Sequence, residues 1–305
     1  MNIIGIDIGG TKCSVVKATL DGRPLEQRRF QTTSVCETLE RIYSAVAELE
    51  PGESPVFGIA CGGPLDASRG IVMSPPNLPD WDNIPIVAEL TSRFGGKGYL
   101  MNDANACALA EWQFGAGRGT KNIVFLTYGT GMGAGLILDG RLYEGTSGDA
   151  GEVGHLRLAP DGPVGYGKAG SFEGFCSGRG LARLATGKIP GHPNPTAKEL
   201  AELADCGCKE ALEIWEESSR RLGQALAVIV DFFNPEVIVL GSIFVRSARF
   251  LEVGMREVLV AEALPQALAV CRIVPAELGE STGIMSAIAV AKYHLEQHQS
   301  LVTNH

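Results

Sequence analysis

The chain has no surplus of positive charge. Lys and Arg number 26 against 35 Asp and Glu, a net charge of −9 over 305 residues. A surface of that sign gains nothing from phosphate backbones or anionic headgroups, so nucleic acid and membrane surfaces are excluded as main partners. There is also no long hydrophobic run: the apolar stretch 225–230 is stopped by Asp231, far short of the roughly 20 residues that span a bilayer. No secretory leader is legible, because Met1-Asn2 passes directly into the strand-like Ile3-Ile4-Gly5-Ile6 with no charged start. The eight cysteines (Cys13, Cys36, Cys61, Cys107, Cys176, Cys206, Cys208 and Cys271) lack the spacing of a secreted disulfide framework and read as reduced thiols of a cytoplasmic protein. Low-complexity sequence is absent too.

What is there is a globular composition, 45% hydrophobic and 20% charged, long enough for one large domain or two ordinary ones. Glycine is abundant, with 39 residues gathered at Gly9-Gly10, Gly62-Gly63, 129–135 and 165–170. Clustered glycine marks loops where backbone approaches something closely. Residues 2–8 and 13–20 read as strands joined by Gly9-Gly10-Thr11, residues 37–49 as a helix, and 56–60 as a strand. After a strand at 98–101 and a helix at 105–114, Gly115-Ala116-Gly117-Arg118-Gly119 forms a flexible exit and a candidate hinge. The opening pattern then repeats: strand 122–127, a glycine loop, strand 135–138, and the hairpin turn Asp139-Gly140. Two related α/β halves produce such a repeat. Residues 196–203 and 209–233 read as helices, 237–240 as a buried strand, 282–296 as a terminal helix, and 297–305 as a frayed tail.

Asp7-Ile8-Gly9-Gly10-Thr11-Lys12 takes a carboxylate at a strand end into two glycines whose N–H groups can approach an anion. One glycine pair alone fits an ordinary tight turn. A second loop of the same composition, Thr127-Tyr128-Gly129-Thr130-Gly131-Met132-Gly133-Ala134-Gly135, also follows a strand, and two such loops fit a phosphate held between hairpins. Neither loop has the Gly-Lys-Ser/Thr ending of a Walker A motif, and neither runs at once into a helix as a dinucleotide fingerprint does. Asn102-Asp103-Ala104-Asn105 sits between a strand and a helix, which suits helix capping and equally suits a carboxylate that accepts a hydroxyl proton. Glu152 and His155 are flanked by glycines that expose both side chains.

In order along the chain, 7–12, Gly62-Gly63-Pro64, Asn77-Leu78 with Trp81, 102–105, 129–135, 148–155 and 234–241 resemble the signature segments of ROK-family sugar kinases, members of the actin and hexokinase ATPase superfamily. The resemblance covers nearly the whole chain. It implies an α/β fold of two actin-like (ribonuclease H-like) domains around a cleft: 1–115, joined by the returning helix 283–297, and 116–282. It implies ATP-dependent phosphorylation of a hydroxyl, the 6-hydroxyl, of glucose, a related hexose or an N-acetylhexosamine, and a homodimer formed through the second domain. Carried over position by position, Asp103 matches the catalytic base, and Gly63, Asn77, Asn102, Glu152, His155 and Glu173 match sugar-binding residues. Asp7, Gly9, Gly10, Thr11, Lys12, Thr130, Gly131, Gly133 and Gly241 match the ATP-binding residues, with Asp7 acting indirectly on Mg²⁺.

Two departures from the family stand out. The zinc-binding pattern C-x-C-G-x-x-G-C-x-E appears here as Val164-Gly165-Tyr166-Gly167-Lys168-Ala169-Gly170-Ser171-Phe172-Glu173, and without its three thiolates no zinc site is expected. The pair Cys206-Cys208 lacks the further ligands a metal needs. Tyr166 and Phe172 are expected to bury aromatic area in place of the metal, and Ser171 to bond backbone. Gly241-Ser242-Ile243-Phe244 replaces the usual glycine run on the adenine side. Two other classes compete with a kinase. Sugar-responsive repressors of the family carry a winged helix ahead of the kinase-like part, whereas this chain starts at the first strand. An actin-like ATPase without kinase activity needs neither the Asn-Asp pair nor the Glu-x-x-His.

Overall fold

The sequence Ile3–Ile8 (β1) is apolar on both faces, the mark of a strand covered from both sides, and its four isoleucines are buried. The structure, a computed structural model, describes residues 2–303. After β1 come β2 (Lys12–Ala18), β3 (Pro24–Gln31), α1 (Val35–Glu48), β4 (Val56–Cys61) and the small strands β5 (Leu65–Asp66) and β6 (Ile71–Val72). Helix α2 (Ile86–Phe94), β7 (Lys97–Asn102) and α3 (Asp103–Phe114) follow. The sheet order is β3-β2-β1-β4-β7, with β2 and β3 antiparallel and β4 and β7 parallel to β1. Strand β3 is not visible in the sequence because Pro24–Gln31 has no apolar alternation. It is a largely exposed, charged edge held by its pairing with β2, a composition that discourages pairing with other chains.

The second stretch builds β8 (Ile123–Leu126), β9 (Ala134–Leu138), β10 (Arg141–Leu142), β11 (Val164–Gly165), β12 (Lys168–Ala169), α4 (Phe172–Phe175), α5 (Gly178–Ala185) and α6 (Ala197–Asp205). Then come α7 (Lys209–Phe233), β13 (Val237–Leu240), α8 (Ser242–Glu262), α9 (Pro265–Leu268) and β14 (Arg272–Pro275). Its sheet, β10-β9-β8-β13-β14, repeats the first: an antiparallel arm, then two parallel strands. Helix α6 starts with a capping box, Thr196 and Glu199 each satisfying the other's backbone. Helix α7 ends at Asn234 in the left-handed region, followed by Pro235, which cannot continue a helix. Helix α8 escapes sequence reading because Ser247 leaves helical geometry (φ −127°, ψ 20°), which breaks the apolar periodicity into two segments.

Helix α10 (Thr282–Thr303) returns to the first sheet. It runs beyond the expected 282–296, so 297–303 is helical rather than frayed, and Asn304 and His305 lie outside the described residues. Residues 287–291 are fully buried, and their approach depends on two glycines paired across β1 and β4, Gly5 and Gly58. A Cβ at Gly58 would strike the backbone of Ala287 and lie 2.7 Å from the nitrogen of Ala291. The chain thus divides into two units, Met1–Arg118 with Leu278–His305, and Gly119–Glu277. The candidate hinge is tied at its start: the buried Glu111 of α3 accepts the Ala116 N–H at 2.8 Å and, with its other oxygen, the Leu278 N–H at 3.0 Å. No described helix is long and apolar enough to cross a membrane.

Candidate functional site

Three parallel strands of the first sheet end side by side: Ile8 pairs with Cys61, and Cys61 with Asn102. Residues leaving these ends emerge together at the carboxyl edge, where open α/β sheets bind ligands. From β1 come Asp7 and the turn Gly9-Gly10-Thr11-Lys12, from β4 Gly62-Gly63, and from β7 Asn102-Asp103. The Gly9 N–H donates to the Lys12 carbonyl at 3.1 Å. A Cβ at Gly10 would collide with the Asn77 backbone, so Asn77 lies against this turn.

Asn102 fills the capping role its position suggested. Its Oδ1 accepts the Ala104 N–H at 2.9 Å, capping α3, while its Nδ2 faces Gly63, 3.3 Å from where a Cβ would stand. Asp103 is the first residue of α3, two residues earlier than the sequence suggested, and its Oδ1 also accepts the Ala104 N–H at 2.9 Å. The Asp103 side chain is open to solvent on one side and crowded by protein on the others, and desolvation pushes its pKa up. A carboxylate so shifted is a stronger base toward a hydroxyl. Asp7 is pushed to about 6, first by burial and then by the charge of Asp103, with Lys12 and Arg29 pulling the other way.

Two members of this half were not legible in the sequence. Arg29 joins the row Asp7, Ser14, Arg29 across β1, β2 and β3, on the strand that sequence reading missed. Gly283 lies in the first turn of α10, where a Cβ would collide with the Asp7 carboxylate. Its only signal is a glycine at a helix start, where better helix formers are usual.

In the second unit, β8 and β13 also end together, Leu126 paired with Leu240. The next residues are Thr127 and Gly241, and a Cβ at Gly241 would lie 2.9 Å from the Thr127 carbonyl. The loop carrying Thr130, Gly131 and Gly133 is drawn tight by its own bonds. The Gly133 N–H donates to Thr127 Oγ1 at 3.0 Å, and the Gly129 N–H to the Gly131 carbonyl at 3.0 Å. Glu173 props it from below: its Oε2 accepts the Met132 N–H at 3.1 Å and would lie 2.8 Å from a Cβ at Gly131. Gly241-Ser242-Ile243-Phe244 is not a loop but the start of α8, with Ile243 and Phe244 turned into the core.

Glu152 caps a single 3₁₀ turn, Val153–His155, and His155 is its last residue. The Glu152 carboxyl is held above its ordinary range, chiefly by desolvation, while His155 and a hydrogen bond from Tyr166 oppose the rise. The hairpin β11-β12 is fastened beside them. Lys168 Nζ donates to the His155 carbonyl at 2.8 Å, and Ser171 Oγ donates to the Gly165 carbonyl at 3.1 Å and accepts the Gly174 N–H at 3.1 Å. Phe172 is fully buried as expected, but Tyr166 is not: it is 48% exposed, its ring stacked on His155. Tyr166 stays exposed because it stands at a hairpin tip, in the two-residue turn between Gly165 and Lys168. All eight cysteines are free. Cys206 and Cys208 are helix-end residues, and among the described residues no group of three or more His, Cys, Asp or Glu is placed to share a metal.

A model of the ROK family matches residues 3–294. The chain is 35% identical to the glucokinase of Thermotoga maritima, covering 96% of this chain and 98% of that protein. It is 32% identical to the N-acetylmannosamine kinase of Shigella flexneri, over 79% and 82% of the two chains. Among solved structures, the ROK family glucokinase from Streptomyces griseus in complex with glucose and AMPPNP superposes with a TM-score of 0.76 at 30% identity, over 96% of this chain and 99% of that one. The actin-like α/β fold expected from the sequence is the fold observed.

Proposed function

The chain belongs to the ROK family, and on that premise we propose that it is an ATP-dependent sugar kinase, phosphorylating a hydroxyl of a hexose or N-acetylhexosamine. The relatives that support the substrate class are a glucokinase and an N-acetylmannosamine kinase, and the 6-hydroxyl is the group we assign. The observation that carries the reading is the pair Asp7 and Asp103, brought to one sheet edge close enough for the charge of one to raise the pKa of the other.

Asp103 takes the proton of the attacking hydroxyl. Its raised pKa matches that task, and its place at the start of α3 fixes its direction. Asn102, Gly63, Asn77, Glu152, His155 and Glu173 hold the sugar hydroxyls. The turn Gly9-Gly10-Thr11-Lys12 and the loop with Thr130, Gly131 and Gly133 present backbone donors to the phosphates, with Gly241 on the base side. Asp7 and Asp103 are two neighbouring carboxyls whose charges act on each other, a donor set that fits a divalent cation. Asp7 would hold Mg²⁺ indirectly, and the bound ion would supply neutralisation of phosphate charge. The domains belong to the same proposal, 1–115 with 283–297 and 116–282, and the division of the chain into two units supports them. So does a cytoplasmic setting, which the eight free thiols favour. We assign a homodimer through the second domain, where Phe232, Val253 and Val260 are exposed.

The test is ADP formation with a panel of hexoses and N-acetylhexosamines, with and without Mg²⁺. At least one sugar should stimulate it, and Asp103→Asn should lower turnover by roughly 10²–10⁴ while sugar binding persists. No stimulation by any sugar would refute the kinase, and near-wild-type turnover of the variant would leave Asp103 as a capping residue.

A further inference from the structure

Tyr166 sits where an aromatic side chain is costly. It and Gly167 are the two residues between the paired Gly165 and Lys168, and both have positive φ, +52° and +69°. Such primed two-residue turns favour Asn, Asp or Gly at the first position, because a bulky residue strains there. Burial does not repay the strain, since the side chain is half exposed. Strain kept at a half-exposed side chain points to function.

What Tyr166 touches gives that function. Its ring stacks on the His155 imidazole at 4.1 Å between centroids and 29° between planes. Its hydroxyl stands near enough to the Glu152 carboxyl to oppose the rise of that group's pKa. Its edge closes over Gly154, where a Cβ would come within 2.9 Å of Cε2. The hairpin carrying it is anchored to the same segment by Lys168 to the His155 carbonyl, and to α5 by Arg183 to the Val164 carbonyl. One side chain therefore orients both polar groups of Gly151-Glu152-Val153-Gly154-His155.

We propose that Tyr166 is a positioning residue for sugar recognition, holding the Glu152 carboxylate and the His155 ring in the arrangement that receives a pair of neighbouring pyranose hydroxyls. This rests on the reading above that Glu152 and His155 bind the sugar. The stack fixes the imidazole plane, and the neighbouring phenol hydroxyl favours one orientation of the Glu152 carboxyl. The arrangement is made before the sugar arrives, so its loss appears in sugar affinity and leaves the nucleotide untouched.

Three variants of the full chain test this: Tyr166→Phe, which keeps the ring and loses the donor, Tyr166→Ala, and Tyr166→Gly, which relieves the strained turn. Sugar binding by calorimetry, steady-state kinetics and melting temperature are measured for each. We expect Tyr166→Gly to melt at or above the wild-type temperature while the sugar KM rises about tenfold or more, with the KM for ATP unchanged. A charge-assisted hydrogen bond is worth a factor of about ten, so Tyr166→Phe should fall between wild type and Tyr166→Ala. Wild-type sugar KM in both Tyr166→Phe and Tyr166→Gly would overturn the proposal, as would a rise in sugar KM that tracks a fall in melting temperature across the variants. If the wild-type protein binds no hexose at all, the kinase reading fails and takes the proposal with it. Sugar binding that is strong in wild type and equal in every variant sinks the proposal alone.

Discussion

Asp7 carries a cost that can be read in a melting experiment. Its folded pKa, about 6, lies above the ordinary carboxyl value of 3.8, so the folded state holds a proton more tightly than the unfolded chain. The stability this gives is fully present below pH about 4 and is lost as pH rises through about 6. Asp7→Asn is always neutral, so its melting temperature should gain on wild type as pH climbs across that window and level off above about 7. A constant difference between the two proteins would show that Asp7 ionises as an ordinary carboxyl, and one that shrinks with rising pH that its folded pKa is lowered instead. The residue types that carry such chemistry were legible in the sequence: Asp7 before two glycines, and Asp103 beside Asn102. Their mutual influence was not, nor was the approach of Gly283 and Arg29, because these contacts join segments far apart in the chain and leave no local spacing to read.

Among elements, those with a single uninterrupted period were readable. Helix α7, Lys209–Phe233, and strand β13, Val237–Leu240, have the ends the sequence suggested. Strand β3 was hidden by its polarity, and α8 by the kink at Ser247. The helix α10 was visible, but the reason for its alanines was not: Ala287 and Ala291 are small because they face Gly5 and Gly58 across a helix–sheet contact with no spare room. Gly58→Ala should therefore cost about 1–3 kcal/mol and lower the melting temperature by several degrees, since backbone of α10, rather than a movable side chain, is what the new methyl meets. An unchanged melting temperature would mean that the helix rides higher on the sheet.

For the molecule as a whole, the thiols are scattered, and the loop 164–173 is ordered by Ser171, Phe172 and hydrogen bonds. Cys176, nearest to that loop in sequence, is buried with its Sγ donating to the Ser218 carbonyl at 3.3 Å. The purified protein should hold no stoichiometric zinc, and chelation followed by return of Mg²⁺ should leave activity and melting temperature as they were. One zinc per chain, lost together with activity, would contradict this. The two sheets share an order, yet they are not completed alike. The second unit is one continuous stretch, Gly119–Glu277, while the first needs α10. During synthesis the ribosome must make the entire second unit before it makes the helix that covers Gly5 and Gly58, a delay on the order of ten seconds at common elongation rates. For that interval β1 and β4 have one apolar face bare and Asp7 has no Gly283 beside it. The half that bears the proposed catalytic carboxylates is therefore the last to mature, and a nascent chain stalled anywhere before Thr282 exposes a sticky sheet to chaperones and aggregation instead of a working site.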